Sequence, residues 1–76
     1  MNRRIEMKPG VCHGKPVITG TRVLVATLLG ALSAGDSIDD VLEDYPNITR
    51  DDVFAALEFG SEQARFEAYP YEVVAS

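Results

Sequence analysis

PGVCHGKPVITGTRV, from Pro9 to Val23, is the stretch on which the fold turns. Pro9, Gly10, Gly14, Pro16 and Gly20 punctuate two short β-branched runs, Val17-Ile18-Thr19 and Thr21-Arg22-Val23. Glycine reaches backbone angles that other residues avoid and proline fixes its own, so so dense a use of both specifies turn geometry. The spacing predicts a hairpin or strand-turn-strand platform on which helices sit. Val11 is expected toward the core, Val17-Ile18-Thr19 reads as a strand, and Gly20 breaks it. Thr21-Arg22-Val23 is either a second short strand or the entry to the first helix. Upstream, Ile5 and Met7 alternate with Glu6 and Lys8, a weak strand signal.

Downstream the period changes. In VLVATLLGALSA, Val23 to Ala34, Leu24, Leu28, Ala31 and Leu32 recur at helical spacing while Val25 and Leu29 widen the stripe, as in a helix touched on more than one side. Gly30 weakens such a helix by about 1 kcal/mol relative to alanine, which points to close packing at that position, and Gly35 fits the left-handed residue past its end. Two helices with matching starts follow. Ser37 with Asp40, and Thr49 with Asp52, have the spacing of reciprocal caps, although aspartate is shorter than the usual glutamate. Ile38, Val41, Leu42 and Tyr45 form one stripe, Pro46 stops it, and Ile48 packs across the corner. The last helix begins near Arg50, with Val53, Ala56 and Leu57 on one face and Phe54 on its shoulder. Gly60 could end it, but Gly60 and Ala64 continue the stripe, which favours a helix running to about Phe66. The final AYPYEVVAS, with Tyr69, Pro70 and Tyr71, is too apolar for a polar tail and either folds back or docks on another chain.

The expected class is mainly α: a homeodomain-like three-helix, helix-turn-helix unit over residues 24–67, preceded by a β-turn platform over 1–23 and followed by a tail over 68–76, all one domain. Seventy-six residues bury a small core, so a homodimer or a protein partner is a natural source of further burial. A single cysteine, Cys12, rules out an intrachain disulfide framework and favours a reducing compartment; no apolar run approaches membrane-spanning length, so a cytoplasmic protein is expected. The formal charge of −5 is uneven. Residues 1–35 carry Arg3, Arg4, Lys8, Lys15 and Arg22 against Glu6, a balance of +4, and residues 36–76 carry Arg50 and Arg65 against eleven acids, a balance of −9.

Catalytic chemistry finds little to use. Cys12-His13 alone supplies too few ligands for zinc, and on an extended segment the two side chains point apart, so neither metal binding nor thiol catalysis is expected. Cys12 reads as a small buried cysteine and His13 as a turn residue. Asp39 and Asp40, like Asp51 and Asp52, lie in first helical turns, where negative charge is favourable without any metal. Gly14-Lys15 lacks the spacing of a phosphate loop. The expectation is a non-enzymatic chain with no cofactor. The helix-turn-helix pattern from Ser37 onward raises DNA binding, with Arg3, Arg4 and Lys8 on phosphate and Arg50 near bases, in a dimer on a palindromic operator. Against it, Asp51 and Asp52 stand beside Arg50 where phosphate would be met.

The segments Pro9 to Ile18, Gly20 to Val23, Gly35-Asp36-Ser37, Tyr45 to Thr49, Asp52-Val53 and Ala55 to Leu57 together resemble family 433 of the bacterial domains of unknown function, over roughly Ile5 to Phe59. That resemblance implies a small β element before a homeodomain-like unit. It also implies an antitoxin-like protein, because members are commonly encoded beside proteins resembling PIN-type ribonucleases. Such nucleases hold metal with clustered acids, which an inhibitor can block with a cation. Lys15 and Arg22 on the platform are the residues expected to do so, with Tyr69 and Tyr71 as further partner contacts. Arg22 has an alternative structural role, bonding carbonyls at a helix end.

Overall fold

The clustered prolines and glycines build a miniature hairpin that feeds directly into the first of three helices. The computed structural model describes residues 3–66, the last of them by its backbone. Strand β1 (Ile5–Glu6) pairs antiparallel with β2 (Val17–Ile18), Ile5 opposite Ile18 and Glu6 opposite Val17. Thr21 N donates to Ile18 O at 2.9 Å, closing a turn whose third residue, Gly20, has φ +82°. That position of a type II turn requires the left-handed region, which glycine enters without a Cβ clash. The returning limb bridges back through Val17 and Leu24, and Ile18 N donates to Val23 O at 2.9 Å. Residues 21–23 therefore form neither a regular strand nor a helix turn: they lead through a single bridge at Leu24 into the helix that starts at Val25.

Helix α1 (Val25–Ser33) starts at that bridge without a side-chain cap. Its end is closed by backbone alone: Asp36 N donates to Ala31 O and Gly35 N to Leu32 O, each at 3.1 Å, with Gly35 at φ +106°. This six-to-one and five-to-two pattern is the Schellman arrangement and needs a residue such as Gly35 at its left-handed position. Helix α2 (Ile38–Asp44) follows at once. Ser37 Oγ accepts from Asp40 N and the Asp40 carboxylate accepts from Ser37 N, both at 3.1 Å. Helix α3 (Arg50–Phe66) opens in the same way, with Asp52 N donating to Thr49 Oγ1 at 3.2 Å and Thr49 N to the Asp52 carboxylate at 2.9 Å. Aspartate closes the reciprocal cap in both places despite its short side chain.

The three helices and the sheet share one core. Ile5, Ile18, Val25, Leu28, Val41, Ile48, Val53, Ala55 and Ala56 are all buried, ringed by half-buried Leu29, Leu32, Ile38, Leu42, Tyr45 and Phe59. Ile5 and Ile18 come from opposite strands, so the hairpin contributes to the helical core and is held in place by it. Full burial of a large aliphatic chain stabilises by about 1.5–3 kcal/mol, much of it offset by the entropy of ordering so short a chain.

One expectation about the helices is met and two change. Helix α3 does run through Gly60 to Phe66. Close packing, however, is not at Gly30, which is exposed and where a Cβ would meet nothing within 4 Å. It is at Gly60, where a Cβ would lie 3.0 Å from Leu29 Cδ1. Val25 and Leu28 turn α1 inward, which leaves Gly30 on the opposite side at 100° per residue. Leu57 is likewise not in the core but 41% exposed, beside Phe54 at 50%. The inward line of α3 is Asp52, Val53, Ala55, Ala56, Phe59 and Gly60, rotated from the expected stripe because Asp52 is drawn toward β1. Among the described residues, no helix is long and apolar enough to cross a membrane.

Candidate functional site

The loop from Pro9 to Pro16 is where the backbone departs furthest from ordinary geometry. Cys12, His13 and Gly14 have φ of +50°, +59° and +81°, three consecutive residues in the left-handed region. For the two that carry a Cβ this costs roughly 1–2 kcal/mol each. The neighbouring structure holds them there. Val11 N donates to Lys8 O at 2.9 Å, Gly14 N to Val11 O at 3.0 Å and Lys15 N to Cys12 O at 3.2 Å. The Cys12 thiol donates to Arg22 O at 3.7 Å. Cys12 is half-buried and His13 exposed. The expectation that these two lie on an extended segment is therefore corrected: the chain must reverse between Lys8 and Pro16 to bring β2 back against β1, and a left-handed turn achieves that in three residues.

This turn brings Lys15 and Arg22 into one neighbourhood, since the Cys12 carbonyl bonds the backbone of the first and the Cys12 thiol the backbone of the second. Both side chains are exposed. Among the described residues neither the Lys15 ammonium nor the Arg22 guanidinium has a hydrogen bond or ion pair, so the expected bond from Arg22 to helix-end carbonyls is not made there. Their mounting is firm while their charges face solvent.

The cations considered for DNA are differently placed. Arg4 Nη1 donates to Asp52 Oδ1 at 3.0 Å and Arg4 Nη2 lies 3.7 Å from Asp51 Oδ2. Lys8 stands 3.6 Å from Glu6, and Arg50 pairs with Asp39 across the two helices. Arg3 is exposed; its backbone carbonyl accepts from Thr19 Oγ1 at 2.9 Å. Arg3 and Arg4 border a shallow depression of about 460 Å³ shared with Asp51, Phe54 and Glu58, so the outer face of α3 mixes acids with aromatic surface. Tyr69 and Tyr71 lie outside the described residues.

Asp52 shows what sequence alone missed. Its capping role follows from its spacing to Thr49, but its burial, at 8% exposure, and its bond to Arg4, forty-eight positions away, do not. One carboxylate oxygen serves the cap and the other the arginine, so β1 is tied to the start of α3. An acid three residues after a cap together with an arginine just before a strand is the only hint, and it is too common to name the pair. Among the described residues no group of three or more His, Cys, Asp and Glu side chains could hold a metal ion.

Comparison with known proteins agrees with this geometry. A family described as "Protein of unknown function (DUF433)" matches residues 5–60. The chain is similar to a solved DUF433 member protein from Anabaena variabilis, with a TM-score of 0.76 and 32% identity over 82% of this chain. It spans 61% of that protein's length. No curated protein matches.

Proposed function

This chain belongs to the DUF433 family, and from that premise we propose that it is a non-enzymatic, cytoplasmic protein-interaction module: the antitoxin half of a toxin–antitoxin pair, binding a PIN-like ribonuclease through Lys15 and Arg22. The observation that carries this reading is the division among its cations. Arg4, Lys8 and Arg50 are engaged with carboxylates of the same chain, whereas Lys15 and Arg22 project unpaired, among the described residues, from a turn held by backbone bonds; Arg3 is likewise unpaired but lies at the start of the described chain, away from that turn. A cation already paired must give up that pair before meeting a new anion; an unpaired one on a rigid mount loses less. The clustered acids of a metal-dependent nuclease are a matching target. An ammonium and a guanidinium presented together can neutralise them and compete with the metal.

A second reading, a dimeric regulator with a homeodomain-like helix-turn-helix, is supported by α2, a five-residue turn from Tyr45 to Thr49, and capped α3. The acid exposed at the start of α3 weighs against groove reading through that helix, because Asp51, beside Arg4, would face phosphate, while Asp52 is turned inward and holds Arg4 there.

The test is RNA cleavage by the product of the adjacent gene and its inhibition by this chain. K15A and R22A should each weaken inhibition, while R50A should leave it unchanged. Equal inhibition by all three variants would remove the Lys15–Arg22 contact. Tight, salt-dependent retention on a palindromic DNA, lost in R50A, would favour the second reading.

A further inference from the structure

The inward stripe of α3 outlasts the core. Beyond Ala56 it continues through half-buried Phe59 and Gly60 to exposed Ala64, and with Ala26 and Leu29 of α1 these line an open groove of about 380 Å³. Among the described residues no charged side chain lines it, and Gln63 is its one polar member. Gly60 approaches Leu29 so closely that a Cβ would sit 3.0 Å from Leu29 Cδ1, so the groove keeps its depth because position 60 carries no side chain. The groove lies at the end of the described chain: Gln63 and Ala64 belong to the last turn of α3, which closes at Phe66.

We propose that this groove receives residues 69–74 of the same chain, Tyr69-Pro70-Tyr71-Glu72-Val73-Val74, folded back along α3. Three properties of the sequence after Phe66 select this occupant. Pro70 lacks a helix donor and disfavours helical geometry at Tyr69, so α3 is not simply prolonged past that point. In an extended segment side chains alternate, which puts Tyr69, Tyr71 and Val73 on one side and Glu72 on the other. The apolar side matches a groove without charge, and the acid is left in water. Reach is sufficient as well. From Ala64 back to Phe59 α3 rises about 7.5 Å, whereas the four steps from Tyr69 to Val73 span about 13 Å extended, with Glu67 and Ala68 left for the reversal. A tether this short gives an effective concentration on the order of millimolar, which a second copy or a partner's segment in free solution has to exceed. This contact is independent of the antitoxin reading, since neither Lys15 nor Arg22 lines the groove.

The test is NMR on the full chain. In a uniformly isotope-labelled sample, ring protons of Tyr69 or Tyr71 should show nuclear Overhauser contacts to the Leu29 methyls. In an equimolar mixture of labelled and unlabelled chain, the isotope-filtered spectrum, which passes only contacts between chains, should lack them. A26E puts a carboxylate on the groove wall and should displace the segment, shifting the amide signals of Tyr69 and Tyr71. T27E, exposed on the same turn but outside the lining, should leave those signals in place. Both substitutions add an acid to the first turn of α1, where it is favourable, so the fold is retained. Y71S alters no core residue and should move the Leu29 methyl signals. Absence of the tyrosine contacts to Leu29, or Leu29 methyls unmoved by Y71S, would overturn the fold-back and leave the antitoxin reading standing. Contacts that persist in the filtered spectrum assign the groove to a second copy. Leu29 signals that move only when the product of the adjacent gene is added assign it to a partner. Either result also overturns the proposal.

Discussion

Replacing Asp52 by alanine should be far more costly than replacing Asp40, although both acids occupy the same position in a helix cap. At α2 the Asp40 carboxylate accepts one backbone bond, from Ser37 N at 3.1 Å, on an exposed surface. Its loss returns that amide to water and costs about 0.5–1 kcal/mol. At α3 the Asp52 side chain is 12% exposed and accepts from Thr49 N at 2.9 Å and from Arg4 Nη1 at 3.0 Å. D52A leaves a part-buried amide without its acceptor, about 1–2 kcal/mol. It also removes an ion pair that, with the guanidinium side chain half exposed, is discounted for screening to under about 1 kcal/mol. The sum is about 1–3 kcal/mol, which for a domain of this size lowers the melting temperature by roughly 5–20 °C. Urea titration followed by circular dichroism at 222 nm reads both variants. D52N should fall between wild type and D52A, because its amide oxygen can still accept from Thr49 N. The double-mutant cycle of R4A with D52A should show coupling below about 1 kcal/mol. Equal midpoints for D40A and D52A would refute the claim that Asp52 ties the strand to the helix.

Other substitutions test other parts of the fold. G30A, on exposed helix surface with free space around it, should raise stability by about 0.5–1 kcal/mol in thermal melts, whereas G60A should gain less because the tip of Leu29 must move aside. L28A removes a side chain with 0% exposure and should cost about 2–5 kcal/mol, enough to leave much of the chain unfolded, while F54S on the exposed face of α3 should stay within about 0.5 kcal/mol of wild type. H13G should stabilise by up to about 1 kcal/mol, because glycine tolerates φ +59° without the Cβ clash; destabilisation in the same urea titration would contradict the left-handed turn.

Local signals in this chain were legible and long-range ones were not. The two capping pairs, the glycine after α1, the stop at Pro46 and the buried stripe of α2 all follow from spacings of three to seven residues, and each is found where expected. Gly30 and Gly60 show the limit. Both read as helical glycines, and only the facing helix decides which one is pressed: Leu29 lies over Gly60, and nothing lies over Gly30. Period alone places Leu57 inward, but a seventeen-residue helix packed against a short bundle has more apolar residues than core to receive them. In the candidate site, the exposure of Lys15 and Arg22 matches a turn platform, yet the left-handed run through Cys12 and His13 has only a weak sequence signature, because histidine is merely enriched in that region and cysteine is not. Arg4 and Arg50 looked available as cations; their partners Asp52 and Asp39 lie on other elements and become neighbours only after folding.

Light scattering of the chain purified after co-expression with the product of the adjacent gene tests the central claim most directly, with the chain expressed alone as control. The account predicts a stable hetero-complex for the wild type that dissociates in the K15A, R22A double variant while each partner remains folded. A chain that purifies without its neighbour's product, as the same species in both preparations, would contradict it.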